Sequence, residues 1–211
     1  PPFMKQQILA SIPKNYSPLK HFLVPALIGW SLIILSFLNL SSVFWLSWLT
    51  IPLTIFILFG FEWVVHKHIL HQRRWGLSEL FIKHEQMHHC LYHQHRMALS
   101  NYRELYLILM PVYAILLVFG LLVPPFMLLF WLWSTNVAWL MLGTAMAYFL
   151  AYEWLHCCYH LPANHWLGRN RLIVYLRKLH ASHHHPAHMK HWNFNVTVPV
   201  FDRLLGTYRK D

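Results

Sequence analysis

Four long apolar stretches without a single Lys or Arg constrain this chain more than any other feature: Phe22 to Leu40, Val43 to Val65, Leu105 to Val123 and Val137 to Leu155. A helix needs about 20 residues to cross the hydrocarbon core of a bilayer, and each stretch is roughly that long. A backbone in lipid must satisfy its own hydrogen bonds, and a run of this length does so as a helix. Acidic residues enter only at the far ends of two stretches, as Glu62 and Glu153. Of the 211 residues, 57% are hydrophobic and 11% charged, against a usual charged share of about 25%. That balance excludes a disordered chain and an ordinary soluble domain. Three Cys, two of them adjacent, exclude a disulfide scaffold. The expected fold is all-α, one polytopic membrane domain over residues 1–211.

Pro25, Pro52 and Pro111 fall inside the expected spans, where neighbouring helices absorb a kink. The segment from Pro124 to Asn136 is also apolar; it extends the third span or lies in the interface among its Trp residues. The first stretch is too long for the apolar region of a signal peptide and reads as a retained span. The sequence begins Pro-Pro, so the native start is left open. The loops Ser41–Ser42 and Pro124–Asn136 carry no Lys or Arg, whereas three basic residues precede the first span, six separate the second and third, and eight follow the fourth. By the positive-inside rule both termini and the central loop are cytoplasmic. The net charge of +10 then reflects topology and attraction to anionic headgroups. It is spread over membrane-flanking segments, which does not fit a nucleic-acid footprint.

Against only 7 Asp plus Glu, the chain has 18 His, and fourteen of them fall in four clusters on the side assigned to the cytoplasm. These are His66, His68 and His71; His84, His88, His89, His93 and His95; His156 and His160; and His180, His183, His184 and His185. Helical spacing puts His84 and His88 on one face, and likewise His156 and His160, while His180 reaches both His183 and His184. So many rings can pack at a membrane edge only if they are neutral. The neutral ring is a strong donor to Fe, Zn, Cu or Ni. Two octahedral ions need roughly ten to twelve positions, whereas one structural zinc needs about four, usually with Cys among them. The surplus of rings therefore suits two metals. His21 and His165 read as ordinary hydrogen-bonded residues. His68, His93, His95, His185, His188 and His191 are divided between surface positions and outer support for ligating rings.

The order HX4H (His66, His71), HX3HH (His84, His88, His89), HX3H (His156, His160), HX2HH (His180, His183, His184) resembles the fatty acid hydroxylase / sterol desaturase superfamily of integral-membrane di-iron enzymes. The segment NFNVTVPVFDRLLGTY, Asn193 to Tyr208, is similar to the signature that follows that family's last box. The resemblance runs from about Glu62 to Tyr208. It implies four transmembrane helices with a cytoplasmic helical cap formed by 66–104 and 156–211. It implies two iron ions held by His66, His71, His84, His88, His89, His156, His160, His180, His183 and His184, with no catalytic residue beyond these ligands; zinc can replace iron in a purified sample. It implies hydroxylation of a lipid C–H bond with O2 and two electrons from a separate donor, such as a cytochrome b5-like or ferredoxin-like protein. His68, His93, His95 and His185 exceed the minimal boxes and are candidates to replace a boxed ligand.

Chemistry on an unactivated C–H bond needs a redox centre, because side-chain acids and bases cannot supply the oxidising power. Glu85, inside the second box, reads as a hydrogen-bonding or surface residue. Glu62 and Glu153 are expected to accept hydrogen bonds from ligating His, or else to cap helix packing. Trp63, Trp75, Trp154 and Tyr159 are candidates for the walls of a substrate path, with an interfacial aromatic belt as the alternative. Cys90, Cys157 and Cys158 read as reduced packing residues. The twenty-residue spacing from His160 to His180 resembles that of fatty acid hydroxylases more than that of sterol enzymes, and this resemblance favours a fatty acyl substrate. Desaturation and sterol or carotenoid hydroxylation begin with the same hydrogen abstraction and stay open. A membrane haem protein would need His well inside the spans, and a metal transporter would need polar residues along them.

Overall fold

A computed structural model describes residues 2–210. Every regular element among them is helical. The six longest helices are α1 (Pro2–Ala10), α2 (Pro18–Leu38), α3 (Thr50–Val65), α4 (Val112–Leu132), α5 (Thr135–Tyr159) and α6 (Arg171–His183). Shorter 3-10 and π-helical turns join them.

Three of the helical segments are long and apolar enough to cross a membrane: Pro18–Leu38, Trp45–Leu70 and Tyr102–Leu132. They mark the chain as a membrane protein. The fourth expected span corresponds to α5, which is 25 residues long but less apolar, because Asn136, Thr144, Tyr148, Tyr152 and Glu153 interrupt it. Its middle is buried, with Ala138, Leu140, Leu142, Ala145 and Met146 all below 9% exposure. A helix surrounded by other helices does not need the bulky apolar side chains that lipid selects.

The expected boundaries shift at two places for local reasons. The second helical run continues past Val65 as a π-helix, His66–Leu70, and so carries the first histidine box. The third helix does not begin at Leu105: Tyr102–Ile108 forms two short turns, and α4 starts after Pro111, whose ψ of 146° is extended. Proline fixes its own φ and pushes the preceding residue out of the helical region, so the chain restarts there. The Pro124–Asn136 segment prolongs this helix to Leu132 and contains Pro124 and Pro125 without a break.

The chain forms two compact units, each discontinuous in sequence. One comprises Lys20–Leu58 and Met110–Ala151. Its core is Ile33, Leu58, Phe126, Ala138, Leu142, Ala145 and Met146. Small residues allow the helices to approach: a Cβ on Gly143 would stand 3.0 Å from the Ser36 Cβ. Close backbone approach through small residues is how helices associate where lipid removes the hydrophobic drive. Meanwhile Leu27, Trp30, Ile34, Leu116 and Leu128 are exposed. The Asn136 amide ties the start of α5 to the segment after α2 by bonding both the Ser41 N–H and the Ser41 carbonyl, at 3.0 and 2.7 Å. His21 bonds the Met110 carbonyl at 3.0 Å, as a lone histidine was expected to do.

The other unit comprises Pro1–Leu19, Phe59–Leu109 and Tyr152–Asp211. Ile8 and Ile12 pack with Leu91, Tyr92, Met97, Leu107, Ile108 and Cys157, and a second cluster joins Cys158, Tyr159, Ile173, Leu176 and Val196. α6 is capped by Asn170, whose side chain accepts from the Leu172 and Ile173 N–H groups; such caps contribute about 1 kcal/mol. Its buried stripe runs Ile173, Leu176, Leu179, His180, His183. That 3.6-residue period carries the fourth histidine box onto the core face.

Two buried carboxylates fix the segment after α6. Asp202 accepts from the Phe194 and Asn195 N–H groups and the Thr207 hydroxyl. Glu62 accepts from the Val196 and Thr197 N–H groups and the Thr197 hydroxyl. Asn193 takes the left-handed conformation, φ 57°, which Asn tolerates better than most residues. The Phe201 ring lies where a Cβ on Gly60 would be, 2.7 Å from it. The polar residues of this tail are therefore its internal scaffold.

Candidate metal centre

All ten boxed histidines are buried, at 9% exposure or less. Nine of them form two groups in which the candidate ligand nitrogens lie within 4.8 Å of one another. The first group is His66, His71, His84, His89 and His183; the second is His88, His160, His180 and His184. His156 stands against the second, its ring 5.0 Å from His88, 5.1 Å from His160 and 4.9 Å from His180 between centroids.

The local winding explains the grouping. His66–Leu70 and Ile82–His88 are π-helical, a form that turns up at functional sites. In a π-helix the hydrogen bond spans five residues, so residues five apart share a face. His66 and His71 are five apart and stack at 5.0 Å, with their rings 23° from parallel. His84 and His89, also five apart, join the same group. His84 and His88 share a face as expected, their rings stacked at 5.2 Å, but they belong to different groups. In α6 the i, i+4 pair His180 and His184 stays together, while His183 goes to the first group. Each adjacent doublet, His88–His89 and His183–His184, thus sends one ring to each group. The groups abut through His89 and His184, stacked at 4.1 Å.

Six rings have their Nδ1 side fixed. His66 bonds the Phe194 carbonyl, His160 the Met97 carbonyl, His183 the Trp192 carbonyl, His184 the Tyr92 carbonyl and His156 the Ile108 carbonyl. His71 bonds the Glu85 carboxylate. A carbonyl or carboxylate oxygen can only accept, so the hydrogen sits on Nδ1 and the Nε2 lone pair is free. These Nε2 atoms face one another. His71 and His183 approach to 2.9 Å, His66 and His84 to 2.9 Å, His180 and His184 to 3.0 Å, and His160 and His180 to 3.3 Å. Between His71 and His183 both hydrogens are committed elsewhere, so two lone pairs point at each other. A shared cation removes that repulsion. Nitrogens at about 2.1 Å from one ion lie about 3 Å apart when adjacent, which matches these spacings. The Nε2 of His156 and the Nδ1 atoms of His88, His89 and His180 are buried without a partner. The donor set fits metal ions, and both groups could hold one.

The electrostatics agree. Burial, and then the neighbouring imidazoles, hold His84, His88, His89, His160, His180, His183 and His184 well below the ordinary imidazole value. The rings are neutral at physiological pH, as ligation requires. Glu85 stays ionised: burial opposes its charge, but hydrogen bonds from His71 and Lys190 outweigh it.

Histidines outside the ten stay outside the groups. His68, His185 and His188 are half-buried, and His93, His95 and His191 are exposed; among the described residues none of them enters either group. Glu62 supports the centre through the tail, since the loop it anchors presents the Phe194 carbonyl to His66. Trp63 is buried and bonds the Thr207 hydroxyl at 2.9 Å, and the Tyr159 hydroxyl bonds the Val196 carbonyl at 2.8 Å, so both also hold the tail. Trp75 is fully exposed and Trp154 is 42% exposed. The three cysteines are free thiols. Sequence reasoning missed the carbonyl acceptors of Phe194, Met97, Trp192, Tyr92 and Ile108, because a backbone oxygen carries no residue signature.

No protein-family model matches this chain, and no curated protein matches it. Among solved structures, the fold is similar to that of a chain described as full-length Scs7p with only the hydroxylase domain visible, with a TM-score of 0.59 and 19% sequence identity over 87% of this chain. The match spans 63% of that longer chain. At this identity the likeness concerns the fold, and it agrees with the family resemblance carried by the histidine boxes: the chain has a helical fold similar to that of the Scs7p hydroxylase domain and carries two buried histidine groups.

Proposed function

We propose that this protein is a membrane di-iron oxygenase that hydroxylates a C–H bond of a lipid, with a fatty acyl chain as the first candidate. The observation that carries the reading is the convergence of imidazoles from four remote segments into two abutting groups whose Nε2 atoms approach one another. The fold shared with the Scs7p hydroxylase domain supports it. The ten boxed histidines are the ligands, five to each ion, with His156 completing the second group. When bound, the two irons supply activation of O2 and the oxidising power for the C–H bond. In the overall balance one oxygen atom becomes the hydroxyl group and the other leaves as water, which consumes two electrons and two protons. The electrons come from a separate donor of the cytochrome b5 or ferredoxin kind.

The chain's own residues hold this chemistry in place. Backbone carbonyls and Glu85 fix the tautomer of six rings, so their Nε2 atoms are aimed before an ion arrives. Burial of all ten rings keeps water from the centre. The histidine-bearing segments and both termini face the cytoplasm, on the distribution of Lys and Arg. A membrane-impermeant amine label applied to sealed cells should leave Lys67 unmodified and label it after permeabilisation; modification from outside overturns the orientation.

The functional test pairs two measurements. Purified protein should carry close to two metal ions per chain, iron or zinc by elemental analysis. Lipid extracts of cells expressing it should contain fatty acyl species heavier by one oxygen. Loss of two hydrogens instead identifies a desaturase with the same centre. Metal content near zero refutes the reading.

A further inference from the structure

The two histidine groups differ in what stands behind their rings. In the second group, His160 and His184 donate to backbone carbonyls, and the Nδ1 atoms of His88 and His180 have no partner. Among the described residues no carboxylate bonds a ring of that group; Glu104, on that side, accepts from the Tyr92 hydroxyl and the Ser100 N–H. In the first group, His66 and His183 also donate to carbonyls. His71 is different, because its Nδ1–H is given to the buried carboxylate of Glu85. The other Glu85 oxygen is held by the Lys190 ammonium at 3.2 Å. Glu85 is 8% exposed at its side chain, and Lys190 is 56% exposed.

We propose that Glu85 is a positioning residue that makes the two metal sites inequivalent, giving the group that contains His71 an anionic support that the other group lacks. This rests on the dimetal reading above. Ten imidazoles are neutral donors, so two divalent ions bring uncompensated positive charge into a buried space. A ring that hands its Nδ1–H to a carboxylate becomes a more basic Nε2 donor and is fixed in orientation. Lys190 sits in water, where its charge is screened, so it steers the carboxylate without cancelling it. The ion held with His71 is therefore the more tightly bound, and its ligand field differs from that of its neighbour.

The test uses the full-length protein in detergent, loaded with Co2+, and follows release of the ions to excess chelator. Wild-type protein should lose its two ions in two phases. In Glu85→Gln one phase should quicken by roughly 10–100-fold, the usual effect of removing such an outer partner. The other phase, and the Co2+ absorption bands belonging to it, should stay as in wild type, which also reports that the chain is folded. In Lys190→Met the carboxylate remains, and both ions should leave no faster than from wild type. Unchanged phases in Glu85→Gln, equal acceleration of both phases, or faster release in Lys190→Met overturns the inference while leaving two bound ions in place. A wild-type protein that binds no ion overturns the dimetal reading itself.

Discussion

Replacing His183 by Ala should lower turnover by more than about 100-fold, since removing even an outer partner of a ligand costs roughly 10–100-fold. His183 is fully buried. Its Nε2 stands 2.9 Å from that of His71, and the Trp192 carbonyl fixes its other nitrogen. It is one of the five rings of the first group. His183→Ala should retain one ion, because His184 and the rest of the second group are untouched. Product formation should nevertheless vanish, since the proposed chemistry uses both ions. Membrane insertion should survive, because the apolar helices do not include residue 183. His185→Ala is the control: that half-buried neighbour lies outside both groups, and its variant should keep activity and two ions. Turnover retained in His183→Ala would mean that these boxes do not hold the reacting ions.

How far the sequence reaches can be judged from particular residues. The apolar stretches disclosed the helices, because lipid-facing surface leaves a compositional mark. The histidine clusters were visible because so many rings at a membrane edge can pack only when neutral, and the choice of ten among them came from the resemblance of the boxes. The partition of those rings was not visible. An α-helical period joins His84 to His88, whereas the π-helical turn at Ile82–His88 joins His84 to His89. Box spacings of five residues were the available signal for that winding, in HX4H and again across HX3HH. Adjacent doublets gave a second signal, since neighbouring side chains on a helix diverge and point naturally to two ions. Glu62 was expected to accept from a ligating histidine or to cap helix packing, and it anchors the tail by accepting from Val196 and Thr197. That bond joins residues 134 apart in sequence, and no local pattern encodes it.

The tail shows how much of the centre depends on polar groups remote from any ion. Asp202 and Glu62 together saturate the N–H groups of four consecutive residues, Phe194 to Thr197. A loop held in this way cannot drift, so the carbonyls of Trp192 and Phe194 stay aimed at His183 and His66. The orientation of His66 and His183 is thus inherited from Asp202 and Glu62, which hold the tail, and this explains why a polar motif follows the last histidine box.

Acidification of the metal-free protein should unfold it over a narrow range below pH 6.5. Burial, reinforced by mutual repulsion, holds His84, His88, His89, His160, His180, His183 and His184 well below the ordinary value, whereas in the unfolded chain each titrates near 6.5. As pH falls through 6.5 the unfolded state takes up protons and the folded state does not. Stability therefore falls with pH, because the unfolded state binds more protons. Each group contributes about 1.4 kcal/mol per pH unit, so seven together approach about 10 kcal/mol per unit once the unfolded rings are fully charged. A typical domain has only about 5–15 kcal/mol to lose. Bound ions should shift the transition to lower pH without reversing its direction, since they bind the folded state and compete with protons for the same nitrogens. Thermal melts of chelator-treated protein in detergent should show a large drop in Tm between pH 7.5 and pH 5.5, and a smaller one after reloading with metal. A Tm that stays level to pH 5 would mean that the ten rings reach water when the ions are gone, and the buried, preformed cage described above would then have to be abandoned.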